Sequence, residues 1–146
     1  MLDLGLAITH HLLVFGLVAM MMATRVLLRG PNVDVLRLAA LDAGAGATSG
    51  LVLAVGICRV IWGGKGWLFY QTNPFFWGKL GCFFLIGALT VPGTIAFLKW
   101  KTAREADAAF QPAPDQVARL RRLTGVQSLA LVGLLVCAAA MARWPF

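Results

Sequence analysis

The chain has 146 residues, 60% of them hydrophobic and 13% charged, with a net charge of +7 and a mean hydropathy of +0.80. That balance excludes a soluble globular enzyme, and no phosphate loop, Gly-rich dinucleotide turn, nucleophile elbow or zinc motif is present. The basic residues stand beside apolar runs and in no nucleic-acid motif, so the bilayer and its anionic lipids are the expected partners, and nucleic acid is not.

Apolar runs predict helices over about residues 4–28, 39–62, 75–98 and 116–143. Each is near the ~20 residues that an α-helix needs to cross ~30 Å of hydrocarbon, within which every backbone polar group must be satisfied. No ten-residue alternating segments suggest a transmembrane barrel. The expected fold is all-α: an integral membrane four-helix bundle, one transmembrane domain over residues 1–146.

The first predicted helix carries His10, His11 and the run Met20-Met21-Met22, and Gly30-Pro31 stops it. With Asp3 near its start, no basic leader and no small-x-small cleavage site, it reads as a retained span and not a cleaved signal. Asp34 is positioned to cap the second helix. That helix is rich in small residues, and Gly46-x-x-x-Gly50 is a spacing that lets backbones approach or leaves room for a flat ligand. Asp42 lies within expected reach of Arg25 or Arg29 for an ion pair.

Gly63-Gly64 closes the second helix. The stretch from Lys65 to Leu80 follows and is crowded with aromatics; it is expected to form an interfacial lid. Within it Asn73-Pro74 opens the third helix, with Asn73 as N-cap and Pro74 at the first helical position. Pro92-Gly93 predicts a kink. A polar, mobile connection is expected around Gln111-Pro112-Ala113-Pro114, with Asp115 capping the fourth helix. Trp100 is expected at one membrane interface and Trp62, Trp67, Trp77 and Trp144 at the other. Cys58, Cys82 and Cys137 lie inside apolar runs without a C-x-x-C pair and read as packing residues.

Nine of the 13 basic residues (Arg25, Arg29, Arg37, Lys99, Lys101, Arg104, Arg119, Arg121 and Arg122) flank the first and third connections. The positive-inside rule makes that side cytoplasmic. Both termini and the lid then face outward, to the periplasm if the host is a Gram-negative bacterium, with the protein multi-pass in the inner (plasma) membrane.

The polar groups converge in depth. At 1.5 Å per residue, His10 and His11 lie roughly 9–11 Å from the start of their helix. Arg59 and Lys79 lie about one turn from the same face of the membrane, and Met141 and Arg143 end the last helix there. Lys65 and Tyr70 belong to the lid above, and Trp77 to the entry of the third helix. Asp3 is the only acid on that side. Cations gathered without a protein carboxylate suit an external anion, so His10, His11, Arg59, Lys65, Tyr70, Trp77, Lys79 and Arg143 are the candidate ligand-binding residues. Haem b, an apolar disk with two propionates, meets the description, with His10 or His11 and Met141 as candidate iron ligands. The two histidines are 100° apart on one helix and cannot share an iron, and no other histidine exists.

The sequence resembles an uncharacterised family of bacterial four-helix inner-membrane proteins. The likeness covers nearly the whole chain and is carried by His10-His11, Arg59, Lys65-Gly66-Trp67 with Phe69-Tyr70, Asn73-Pro74, Phe76-Trp77-x-Lys79 and Met141-Ala142-Arg143. That family has no established activity. More distantly the chain is similar to HemJ-type protoporphyrinogen oxidases, whose entry to the third helix Trp77-Gly78-Lys79-Leu80 resembles, and to copper-resistance membrane proteins. The HemJ likeness implies b-type haem and a ligating His10 or His11, although the later histidine of those proteins is missing here.

Three functions follow as expectations: a membrane protein binding an anionic or haem-like ligand, a non-enzymatic accessory or scaffold subunit of a homo-oligomer or larger membrane complex, and a small-solute transporter. No catalytic dyad stands out, so the sequence assigns no reaction.

Overall fold

The computed structural model describes residues 2–144, and among them every regular element is helical. The helices are α1 (Leu2–Leu27), α2 (Val35–Trp62), α3 (Gly66–Thr72), α4 (Pro74–Ala106) and α5 (Pro114–Arg143). All but α3 are long and apolar enough to cross a membrane. At 1.5 Å per residue they are roughly 39–50 Å long, so their ends project beyond a ~30 Å hydrocarbon layer. Large side chains such as Leu12, Phe15 and Leu129 are about 70% exposed on the outside of the bundle. In a soluble protein that surface would drive aggregation; here it faces lipid.

The chain makes two helical hairpins, α1 with α2 and α4 with α5, joined across the bundle mainly by α2 against α4. Glycine sets how closely each hairpin closes. A Cβ on Gly44 would sit 3.1 Å from the Met20 Sδ of α1, and one on Gly78 would sit 3.1 Å from the Cys137 Sγ of α5. The Gly46-x-x-x-Gly50 spacing makes no such contact, since a Cβ at either position would meet nothing within 4 Å. The cysteines are free, and Cys82 and Cys137 pack against glycines of the neighbouring helix.

Local chemistry sets the helix ends. The Asp34 side chain accepts from the Arg37 N–H, capping α2 as expected, and Gly63 ends it by donating to the Arg59 carbonyl. Gly66, at φ +72°, then turns the chain into α3, a backbone conformation only glycine adopts freely. The expected lid is therefore not one loop. It is a two-turn helix, the single joint residue Asn73, and the first turns of α4. Asn73 caps α4 by accepting from the Phe75 N–H, with Pro74 at the first helical position. Asn73 is fully buried, and its amide also donates to the Met141 carbonyl at 3.4 Å, so one residue joins α3, α4 and the end of α5.

The opposite end of the bundle is the more solidly packed. Leu28, Leu38, Phe97, Trp100, Val117 and Leu120 form its core. Four sequence expectations are corrected there. Trp100 is no interface marker: it is 4% exposed, and its Nε1–H donates to the Gln116 Oε1 at 3.0 Å, binding α4 to α5. α4 does not stop at Leu98 but continues to Ala106, because Phe97 and Trp100 find partners on α5 and Lys101 and Glu105 pair along the helix at 3.9 Å. The connection after α4 is tied down by an Arg104 bond to the Phe110 carbonyl and by Gln111 accepting from the Val33 N–H. Asp115 is not the cap of α5; Ala113 holds that position and Pro114 opens the helix.

Candidate functional site

Between the two hairpins lies a cavity of about 820 Å³, lined by α1, α2, α4, α5 and the inner side of α3. One face of α1 supplies His10, Val14, Leu17, Val18, Met21 and Thr24, a spacing of three and four residues that keeps them on a single stripe. Gly46 and Gly56 of α2 and Gly87 and Gly93 of α4 also line it, so small residues make the space.

At the α3 end the cavity is cationic. His10, Arg59 and Lys79 come from three different helices and all line it, and the charges of Lys79 and Arg59 both act on His10. His10 is 7% exposed, against the backbone of Gly56, where a Cβ would lie 3.5 Å from the imidazole Cε1. Its Nδ1 and the Arg59 Nε are buried with no hydrogen bond of ordinary geometry, although the Val52 backbone of α2 lies close enough to the His10 ring to interact with it. Buried polar nitrogens are nearly always satisfied by protein or by water, so these two atoms are open to a water or a ligand. Tyr70, 8% exposed, closes the end from α3, with Trp67, Phe76 and Trp77 around it. The rings of Tyr70 and Phe76 are 5.3 Å apart.

The sequence-derived residues divide. His10, Arg59, Tyr70, Trp77, Lys79 and Met141 line the cavity. His11, Lys65 and Arg143 do not. His11 is exposed, its Nδ1 2.6 Å from the Ala7 carbonyl of its own helix, and its ring stands at 89° to that of His10. Lys65 lies over the Phe69 ring with its Nζ 4.3 Å from the centroid. Arg143 is exposed. Among the described residues, no three His, Cys, Asp or Glu side chains gather as a metal-binding group.

The inner half of the cavity holds polar residues that motif reading passed over. The Thr94 hydroxyl donates to Asp42 at 3.1 Å. The Gln127 amide donates to the Thr90 hydroxyl at 2.8 Å and to the Ile86 carbonyl at 3.5 Å. Asp42 is the only acidic residue among those lining the cavity, and it lies 17 residues along α2 from Arg59, about 25 Å by the helical rise. The expected ion pair of Asp42 with Arg25 or Arg29 does not form: Arg25 donates to the Ser128 hydroxyl of α5, and the one ion pair within 4 Å among the described residues is Lys101–Glu105. The usable signal is Thr90 and Thr94 at i and i+4 in an apolar helix, with Gln127 on the next helix for Thr90 and Asp42 on α2 for Thr94.

The polar demands of the two halves thus differ. The inner groups bond to one another, while the α3 end presents positive charge and nitrogens without a hydrogen bond of ordinary geometry. Such an arrangement can hold an anion whose body is apolar. Among curated proteins and among solved structures, none matches the chain. The family model described as Predicted membrane protein (DUF2214) matches residues 2–144, and the chain belongs to that family.

Proposed function

We propose that this protein binds an amphipathic anion within the membrane, the anionic group held by Arg59 and Lys79 beside His10 and the apolar body lying in the cavity below. The observation that carries the reading is the convergence of three cationic or imidazole groups from α1, α2 and α4 on one cavity end; Asp3 lies at that end too, its Oδ1 against Gly63, but it neither lines the cavity nor forms an ion pair with Arg59. A charge brought into a span is costly and is retained by default for function, and charge-assisted hydrogen bonds are strong where water is excluded. The positive-inside rule supports an outward-facing α3 end, with the site in the outer leaflet of a bacterial inner membrane.

Haem is a second reading, favoured by the buried Nδ1 of His10, which makes no hydrogen bond of ordinary geometry, and by Met141 in the same cavity. His10 and Met141 would hold its iron, and Arg59 and Lys79 would meet its propionates. Bound haem would supply redox chemistry; this chain's residues would orient it and exclude water. The likeness of Trp77-Gly78-Lys79-Leu80 to the HemJ-type entry supports that reading.

The test is purification from cells in mild detergent, followed by native mass spectrometry and an absorption spectrum. A co-purifying anionic small molecule, lost in the Arg59→Gln/Lys79→Gln double variant, is the expected result. A Soret band lost in His10→Ala but kept in His11→Ala selects haem. Protein that carries neither, and binds no added anion, refutes the proposal. A stoichiometric protein partner recovered in place of a small molecule would favour an accessory subunit.

A further inference from the structure

We infer that the anion is a long-chain lipid, stretched along the bundle axis with its carboxylate or phosphate at Arg59 and Lys79 and its tail running toward the Thr90–Gln127 pair. The inference rests on the anion-binding reading above and specifies the class of ligand.

Shape is the first argument. Cavity-lining residues run from His10 to Thr24 on α1, which is about 21 Å of helical rise. Spread over that length, the 820 Å³ volume has a mean section on the order of 40 Å² by the same rise, so the space is longer than it is wide. A hydrocarbon chain fits such a space throughout. A compact anion would fill only its upper part.

The second argument is the unequal polar demand. Thr94 donates to one Asp42 oxygen, and Gln127 donates to Thr90 and Ile86, so the polar groups of the inner end have partners within the bundle. The α3 end leaves the His10 Nδ1 and the Arg59 Nε without a hydrogen bond of ordinary geometry. His10 is itself 7% exposed, so this demand is not one that bulk water serves. Together these fix the ligand's direction, with the head at α3 and the tail inward.

The glycines make the test a ruler. Gly87 and Gly46 line the cavity, and a Cβ on either would meet nothing within 4 Å, so the first atom of a larger side chain has room there. Gly87 is eight residues beyond Lys79, about 12 Å along α4, and Gly46 is 13 residues from Arg59, about 20 Å along α2. An extended alkyl chain advances roughly 1.3 Å per carbon, from zigzag bonds of ~1.5 Å.

The experiment uses full-length protein in nanodiscs of neutral lipid, with a fluorescent polyene carboxylate displaced by octanoate, dodecanoate and octadecanoate. Empty nanodiscs correct for partitioning. Affinity should rise with chain length in the natural protein. Gly87→Phe should leave octanoate unchanged and weaken dodecanoate and octadecanoate by about tenfold or more; Gly46→Phe should spare dodecanoate and weaken octadecanoate alone. A flat affinity across the three chains, or phenylalanines that act equally on all of them, overturns the inference. Octadecanol and octadecyl phosphate form the second arm. Phosphate binding more tightly than carboxylate assigns the head to a phospholipid type, and the reverse assigns a fatty acid. The alcohol binding as well as either anion defeats the anion reading while leaving the chain ruler standing. Carboxylates of all lengths binding equally, with loss in Lys79→Gln, defeats the chain and leaves the anion.

Discussion

Asn73 and His10 show how far single side chains decide this structure. Asn73 is fully buried, caps α4 and donates to the Met141 carbonyl. Asn73→Ala should lower stability by about 1–2 kcal/mol, the size of a lost helix cap plus an unsatisfied buried group. A drop in the thermal unfolding midpoint in detergent, with Asn73→Asp recovering part of it, checks this; no change would mean that the cap is dispensable. His10 differs: its Nδ1 makes no hydrogen bond of ordinary geometry, so His10→Phe should leave the midpoint nearly unchanged and alter ligand binding. A fall as large as that of Asn73→Ala would make His10 a packing residue. Asn73-Pro74 was legible in the sequence because a cap followed by proline has a mechanism that reads locally. The orientation of the histidines was not, since adjacent helical positions differ by 100° and only the neighbouring helix decides which faces inward.

Among the elements, the hairpins depend on particular glycines, and a small-xxx-small spacing did not identify them. Gly78 approaches Cys137 closely, whereas a Cβ on Gly81 would meet nothing within 4 Å. Gly78→Leu should therefore destabilise the α4–α5 pair by about 1–3 kcal/mol through overpacking, and Gly81→Leu should not. Equal unfolding midpoints for the two variants would contradict the hairpin geometry described above. Gly46 and Gly50 carry the familiar pattern, yet a Cβ on either would meet nothing within 4 Å. The spans themselves were legible, because ~20 apolar residues have few alternatives in a membrane. Their ends were less so. α4 runs eight residues past its expected limit at Leu98, since Trp100 packs on α5, and a partner distant in sequence leaves no local signal.

At the scale of the whole molecule, the bundle is firm at one end and open in function at the other. Trp100 lies in the larger core, and Trp100→Ala should cost about 3–5 kcal/mol, read as loss of folded protein on heating. The α3 end carries the cavity mouth and the charges. Depth reckoning along each helix was enough to bring His10, Arg59, Lys79 and Met141 to one level, because helical rise is fixed; it could not supply rotation, so His11, Lys65 and Arg143 were grouped with a cavity that they do not line. Nor could it find Thr90, Thr94 and Gln127, whose meaning depends on helices facing each other. The central claim is that an anionic head group sits against Lys79 inside the bundle. Solid-state NMR dipolar recoupling between a carboxyl-labelled long-chain carboxylate and ¹⁵N-lysine side chains tests it directly. The expected result is a Nζ-to-carboxyl coupling at hydrogen-bond range that disappears in Lys79→Gln and persists in Lys65→Gln; a coupling that survives Lys79→Gln, or bound ligand with no coupling to Lys79, would contradict it.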